Sequence, residues 1–356
     1  MIGRKVVEPY LNQLVESNTK ALVVTSPHAR QQLIAWSSAC GEVFQRTCER
    51  LLQNQVLVGV VHYGYLDRAL GDYVKEAQEI FPEPERVIGI GMGSVCDWAK
   101  ILGWKLGAEV DLLPSALSTN AMWTMNVAIR DKTENAQGYG VFGYRLTAVH
   151  TVIVDLDFVG LNSRGNISGA GDLMSGHVAS TDWFLSCVMG KEKLNPNVYE
   201  KSQAALQRLR ETAVEIRNNS IEGRRASAEL GKDISDLMNE FGSGRPKDGS
   251  EHILSDTIEE FTQDRRILHG EQVAISTLLM AYLFNSSRLE LFNIDDLRQA
   301  VLELGLPLNL DKIGLTEGDL INALCQAGPK KDRFSYFNVF SPVSRELAES
   351  AVKAIR

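Results

Sequence analysis

Short apolar, β-branched runs alternate with amphipathic stretches through the first half of the chain, and a purely helical pattern follows. ALVVT (21–25), VLVGVV (56–61), RVIGI (86–90) and TVIVD (151–155) are continuous rather than alternating, as in strands covered on both faces. Residues 111–113 and 126–129 add weaker strand signals. Between these runs, residues 66–80 and 95–106 carry helical spacing. Strand–helix alternation of this kind predicts a parallel α/β sheet. After about Phe158 the strand pattern stops, and helices are expected over 173–189, 198–218, 221–241, 252–263 and 270–284, then shorter ones to Arg356. GSGRPKDGS (242–250), punctuated by Gly, Pro and Ser, is the clearest loop. The expected organisation is an α/β domain over 1–158 and an all-α domain over 159–356.

Composition narrows the function classes. The 356 residues exceed what one small core organises and suit two domains. An apolar fraction of 44% and a charged fraction of 23% are those of an ordinary globular chain. A net charge of −8 gives no electrostatic basis for binding nucleic acid or an anionic membrane, so an anionic ligand must be held by local devices such as helix N-termini. The N-terminal MIGRKVVEPYLNQLVES is polar and amphipathic, unlike a secretory signal. The apolar stretch 273–284 is too short to cross a bilayer and predicts a buried helix, not membrane insertion. Five widely spaced cysteines without a CxxC pair suit a reducing, cytoplasmic setting.

Two turns in the first half carry candidate chemistry. RVIGI runs straight into GMGSVCDWAK (91–100), which opens a helix. Glycines at such a turn let backbone approach a diphosphate while the helix N-terminus offers free N–H groups, and Ser94 adds a hydroxyl. A tight turn that merely needs glycine reads the same way, and the spacing is not GxGxxG. The second turn, LPSALSTNAMWT (113–124), presents Ser115, Ser118, Thr119 and Asn120 as small donors, which by themselves also suit capping.

The second half carries a candidate metal site. Of six histidines, His252 in GSEHILSD and His269 in LHGEQVA lie where loops enter helices. Asp172, in SGAGDLMSGHVASTDW, is expected at the head of a buried helix, among residues small enough to admit neighbours. One carboxylate and two imidazoles with a fourth position open form a catalytic ligand set for Zn²⁺ or Fe²⁺. Such an ion polarises an alcohol or carbonyl oxygen. His177 lies five residues beyond Asp172 in sequence, facing another part of the helical surface, and is excluded.

Together these segments resemble the iron-containing alcohol dehydrogenase and glycerol dehydrogenase superfamily, closest to its sn-glycerol-1-phosphate dehydrogenase branch. GMGSVCDWAK looks like the family's pyrophosphate motif, with Met92 where a third glycine is common, and LPSALSTNA like its second cofactor turn. GAGDLMSGHVASTDW resembles its metal-aspartate helix, and GRPKDGSEH and LHGEQVAISTLLM its two metal-histidine segments. The resemblance spans almost the whole chain. It implies a dehydroquinate synthase-like fold, with a Rossmann-like domain, a helical domain and a cleft between them. It implies NAD(H) or NADP(H) along Gly91, Gly93, Ser94 and Asp97, with contacts from Ser115, Ser118, Thr119 and Thr124. One Zn²⁺ or Fe²⁺ on Asp172, His252 and His269, a polyol or ketose substrate, possibly phosphorylated, and a homo-oligomer are also implied.

Two departures bear on the substrate. Relatives usually carry aspartate where this chain has Asn120, and the glycerol-phosphate branch tends to carry histidine where Asp256 stands. These two residues, with Asp172, are the candidates for contact with the reacting substrate. Asp256 shares a helix face with His252 and would repel a substrate phosphate, unless Arg245 or Lys247 neutralises it. Met122 and Trp123 either narrow the pocket or fill core. No acidic residue follows the first strand to reject a 2′-phosphate, and Ser26, His28 and Arg30 would tolerate one, which favours NADPH. The competing functions are a cyclase related to dehydroquinate synthase, against which Asp172 argues because that branch uses glutamate, and a catalytically silent NAD(P)-binding relative.

Overall fold

The computed structural model describes residues 1–53, 55–57, 60–62, 65–66, 70–131, 140–145, 149–262, 265, 267–289, 291–330 and 333–356. The chain divides into two compact units, Met1–Asn166 and Ile167–Arg356.

In the first unit a five-stranded, all-parallel sheet runs in the order Thr151–Val152, Glu109–Pro114, Arg86–Gly91, Ala21–Thr25, Gln55–Leu57. The first strand in sequence therefore lies between the second and the third, and the order of connection reverses between Ala21–Thr25 and Arg86–Gly91. In open parallel sheets a ligand crevice forms outside the carboxyl ends of the strands at that reversal. Here those ends lead into Ser26 and into the glycine turn. Both central strands are buried almost throughout, which is why they read as unbroken apolar runs. Trp36 anchors one face of the sheet, meeting Phe44 edge-on at 5.3 Å and Phe158 at 4.9 Å.

Two expected strands are split. VLVGVV contributes Gln55–Leu57 to the parallel sheet, whereas Val60–His62 enters a separate four-stranded mixed sheet with Tyr65–Leu66, Asn126–Asp131 and Gly140–Arg145. TVIVD gives Thr151–Val152 to the parallel sheet and Val154–Asp155 to a pairing with Ile2–Gly3. An apolar run specifies burial but not its pairing partner, so such divisions are invisible to hydropathy. Residues 58–59, 67–69 and 263 of expected elements lie outside the described residues.

The second unit is helical, and among its described residues only the isolated bridge Lys330–Arg333 pairs as strand. Ile221–Phe241 has the expected bounds, closed by Gly242 in the left-handed region. The helix expected over 173–189 is instead two, Ser163–Met174 and Gly176–Val188. Asp172 thus lies in the last turn of a helix rather than at the head of one. No described helix is long and apolar enough to cross a membrane.

Candidate metal centre and nucleotide turns

Three helices carry the metal candidates: Ser163–Met174 with Asp172, Ser250–Phe261 with His252, and His269–Phe284 with His269 at its first position. Glycine decides how closely two of them approach. A Cβ on Gly270 would fall 1.6 Å from the carbonyl oxygen of Ser168, and one on Gly171 would fall 2.3 Å from that of Gly270. Backbone therefore meets backbone beside the aspartate, and the Gly270 N–H donates to Ser168 Oγ at 3.1 Å. This contact is the physical content of the GAGD and LHG segments.

The ligand atoms of Asp172, His252 and His269 all lie within 4.8 Å of one another. Asp172 Oδ1 is 3.3 Å from His252 Nε2 and 3.5 Å from His269 Nε2. With bonds of about 2.1 Å, ligands on adjacent corners of a zinc tetrahedron stand about 3.4 Å apart. Donor chemistry and spacing both fit one divalent ion.

Buried carboxylates stand behind both imidazoles. Glu251 Oε1 lies 2.8 Å from His252 Nδ1, and Glu259 Oε1 lies 3.6 Å from His269 Nδ1. A carboxylate on Nδ1 holds the proton there and leaves Nε2 free for the metal. The helix carrying His252 is itself anchored, since buried Asp182 accepts the Ser250 and Tyr336 N–H groups, each at 2.5 Å. Burial, with Glu251 adding to it, pushes the Asp182 carboxyl up to about 7. At Asp172 burial opposes ionisation, but the Lys247 ammonium and the two imidazoles outweigh it and hold the carboxyl well below its ordinary range. Lys247 Nζ lies 2.8 Å from Asp172 Oδ1 and 3.4 Å from His252 Nε2. Glu251, Glu259 and Asp182 were not among the sequence candidates, and Lys247 was expected beside Asp256 rather than Asp172. Only Glu251, adjacent to a candidate ligand, carried a signal that could have found it. Glu251→Gln and Glu259→Gln are each expected to weaken zinc binding about 10–100-fold, by the usual worth of such partners, with little loss of helix content. Competition against a chromophoric chelator measures this, and unchanged affinity in both variants would dismiss the orienting role.

Asp256 is paired with Lys330 at 3.1 Å, not with either cation expected of it. Arg245 instead binds Glu192 at 2.6 Å, and Lys247 is committed to the metal candidates. His177 is largely buried beside Leu209, Arg210 and Glu303, and burial pulls its pKa down to about 4.

In the first unit, Gly91 ends its strand and Gly93 begins the helix Gly93–Leu106, whose N-cap, Met92, contributes no side-chain cap. A Cβ on Gly93 would fall 2.6 Å from Thr119 Oγ1, so the two turns touch at a position where any larger residue would push the Thr119 hydroxyl aside. The Ser115 N–H donates to the Gly91 carbonyl at 3.0 Å, a second tie between them. Ser115, Ser118, Asn120 and Thr124 are buried, and Ser115 Oγ has no hydrogen-bond partner among the described residues. Thr124 Oγ1 donates to the Asn126 carbonyl at 3.0 Å, and Ser94 is half-buried in the first helical turn. Asp97 spends its carboxylate inside the fold, 2.7 Å from Lys100 Nζ and accepting the Ala128 N–H at 3.1 Å. Lys100 in turn donates to the carbonyls of Ala121, Thr124 and Asn126 at 2.8, 3.3 and 2.8 Å. Met122 is fully buried and fills core. Glycines that leave room for backbone contact, an uncapped helix start and small hydroxyls at the sheet's reversal point fit a nucleotide diphosphate.

No protein-family model matches the chain. A glycerol-1-phosphate dehydrogenase [NAD(P)+] of Methanosarcina acetivorans is 26% identical over 272 residues, covering 76% of this chain and 73% of that protein. Over the whole chain the fold is similar to that of a probable glycerol dehydrogenase from Sinorhizobium meliloti, with a TM-score of 0.69, 17% identity and 95% of that chain covered. It is also similar to an iron-containing alcohol dehydrogenase from Corynebacterium glutamicum, with a TM-score of 0.67, 14% identity and 93% of that chain covered. These relatives and fold neighbours are of the superfamily that the sequence motifs resemble.

Proposed function

We propose that this chain, a relative of the iron-containing alcohol and glycerol dehydrogenases, is a metal-dependent NAD(P)-linked dehydrogenase interconverting a polyol, or polyol phosphate, with its ketone. The observation that carries the reading is the spacing of Asp172, His252 and His269, set at the corners of a divalent-ion site. An ion there supplies Lewis acidity toward a substrate oxygen, and the nicotinamide supplies or takes the hydride. The chain's own residues do the rest. Asp172 and the two imidazoles are the ligands, Glu251 fixes the His252 tautomer while Glu259 stands 3.6 Å behind His269, and the backbone contact at Gly171 and Gly270 fixes the spacing. The glycine turn, Ser94 and the hydroxyls of Ser115, Ser118 and Thr119 receive the dinucleotide, while Asp97 shapes that cradle through Lys100.

Substrate class follows from Asp256. The Lys330 ammonium beside it offsets a carboxylate that would otherwise repel a phosphate, which supports a phosphorylated ketose. On the nucleotide side, Ser26 caps its helix, accepting the Ala29 N–H at 3.2 Å, while His28 is exposed and Arg30 half-buried nearby, and the segment 26–30 itself contains no carboxylate. Tolerance of an adenosine 2′-phosphate, hence NADPH use, follows. A cytoplasmic homo-oligomer without nucleic-acid partners completes the reading, supported by the acidic charge and widely spaced cysteines.

The test is a panel of dihydroxyacetone, its phosphate and related ketoses, run with NADH and NADPH on metal-reconstituted protein. Expected are metal-dependent oxidation of the reduced nicotinamide, highest kcat/KM with the phosphorylated ketone, and a Michaelis constant for NADPH no higher than for NADH. Turnover untouched by chelation, or none across the panel, would defeat the dehydrogenase reading. A strong NADH preference would defeat only the cofactor assignment.

A further inference from the structure

Lys247 brings into the metal cluster a chemistry that opposes a metal. Its side chain is only 5% exposed, and Nζ lies 2.8 Å from Asp172 Oδ1, 3.4 Å from His252 Nε2 and 3.5 Å from Asp248 Oδ1. An ion bound to Asp172 Oδ1 at about 2.1 Å would lie no more than about 5 Å from Nζ, because both cations share that oxygen. Two positive charges that close in a buried site repel each other. The distances 2.8 and 3.4 Å place the ammonium against two of the three candidate ligand atoms. An ammonium has three donors and no lone pair, so it cannot itself ligate the ion.

The surrounding charge explains why a cation belongs there in the metal-free protein. Asp172, Asp248, Glu251 and Glu259 gather around the two imidazoles, and Arg333 reaches Asp248 only at 3.9 Å. Buried carboxylates left without a counter-charge are costly, and Lys247 supplies one from within the chain. The lysine follows Pro246 in the break between helices, and the loop is fixed by Ser175 Oγ, which donates to the Lys247 carbonyl at 2.9 Å. Its backbone is held in place, while its stem has rotatable bonds that can carry the charge away.

We infer that Lys247 is an internal competitor for the metal, its ammonium balancing the ligand cluster in the apoprotein and leaving the Asp172 oxygen when a divalent ion enters. Metal is then exchangeable, and the apoprotein keeps its fold. This rests on the ligand assignment of Asp172, His252 and His269.

The experiment titrates Zn²⁺ into chelator-stripped protein by calorimetry, with chelator competition for tight variants, and records melting with and without Zn²⁺. Lys247→Met is expected to bind zinc at least about tenfold more tightly than the parent, and its apoprotein to melt lower, with zinc restoring the loss. Lys247→Arg, which keeps the charge, is expected to bind zinc as weakly as the parent. If the methionine variant does not fold without metal, it is purified with zinc and its zinc release to excess chelator is timed, with release at least about tenfold slower than the parent expected. Equal or weaker affinity, or equal or faster release, in Lys247→Met would overturn the inference while leaving the metal site standing. No zinc binding by either parent or variant would overturn both, and loss of binding in Asp172→Asn identifies the ion measured as the one on this site.

Discussion

Asp172→Asn protein is expected to lose stoichiometric zinc and about a thousandfold in kcat/KM, with most of its fold retained. Asparagine keeps the shape of the side chain but not the charge that two imidazoles and an ammonium surround. A carboxylate is the only anionic donor among the three candidates, and without it the remaining pair of neutral imidazoles binds a divalent ion far less well. Losing the Lewis acid removes several kcal/mol of transition-state stabilisation, and about 4 kcal/mol corresponds to a thousandfold. Removing one partner of a buried pair costs about 3–5 kcal/mol when the other is stranded. Lys247 still has Asp248 at 3.5 Å, so the stability loss should fall at or below the lower end of that range. Metal analysis of the purified protein and steady-state kinetics on the best ketone check this. Full metal content with parental kcat/KM would remove Asp172 from the site.

The second large effect is expected from one methyl group. Gly270→Ala puts a Cβ where the Ser168 carbonyl oxygen already stands, 1.6 Å away, with the Asp172 nitrogen at 2.9 Å. No rotamer relieves a collision between Cβ and backbone, so the helices carrying Asp172 and His269 must separate. Overpacking of a tight contact costs about 1–3 kcal/mol and more where backbone must move. The melting temperature is expected to fall by several degrees, and zinc affinity to fall with it, because both proposed ligands, Asp172 and His269, ride on the displaced segments. Gly107→Ala is the natural control. Its added Cβ meets nothing within 4 Å, and only its left-handed φ of 69° is strained. A Gly270→Ala protein with parental zinc affinity would refute the claim that this contact sets ligand spacing.

The sequence made some parts of the molecule plain and hid others for identifiable reasons. Strands Ala21–Thr25 and Arg86–Gly91 were legible because strands covered on both faces leave an unbroken apolar signature. The helix Ile221–Phe241 was legible from its Ser220 start, its periodic apolar face and its terminal Gly242. The split of VLVGVV and TVIVD between sheets was not, since burial is equally apolar in either sheet. Asp172 was singled out as a candidate ligand but assigned to the wrong end of a helix: the break at Ser175 sits between two helical stretches with no proline to mark it. Glycines and candidate ligand histidines announce themselves by type and neighbours. Glu259 and Asp182 do not, because a buried carboxylate looks like a surface one until its partner from another helix is known. Lys330 was unreadable as the partner of Asp256 for the same reason, being 74 residues away in the chain.

The buried ammonium of Lys100 has a consequence for how tightly a dinucleotide can be gripped. Two carbonyls of the second turn, Ala121 and Thr124, and that of Asn126 just beyond it converge on the ammonium, and Asp97 holds it from the helix that the glycine turn opens. The receiving surface is thereby fastened from behind before any ligand arrives. A loop that must become ordered on binding gives up part of its contact energy to that ordering, whereas one already fixed does not. On the proposed reading this cradle meets its dinucleotide as a finished mould, and the free energy of its few polar contacts goes into affinity.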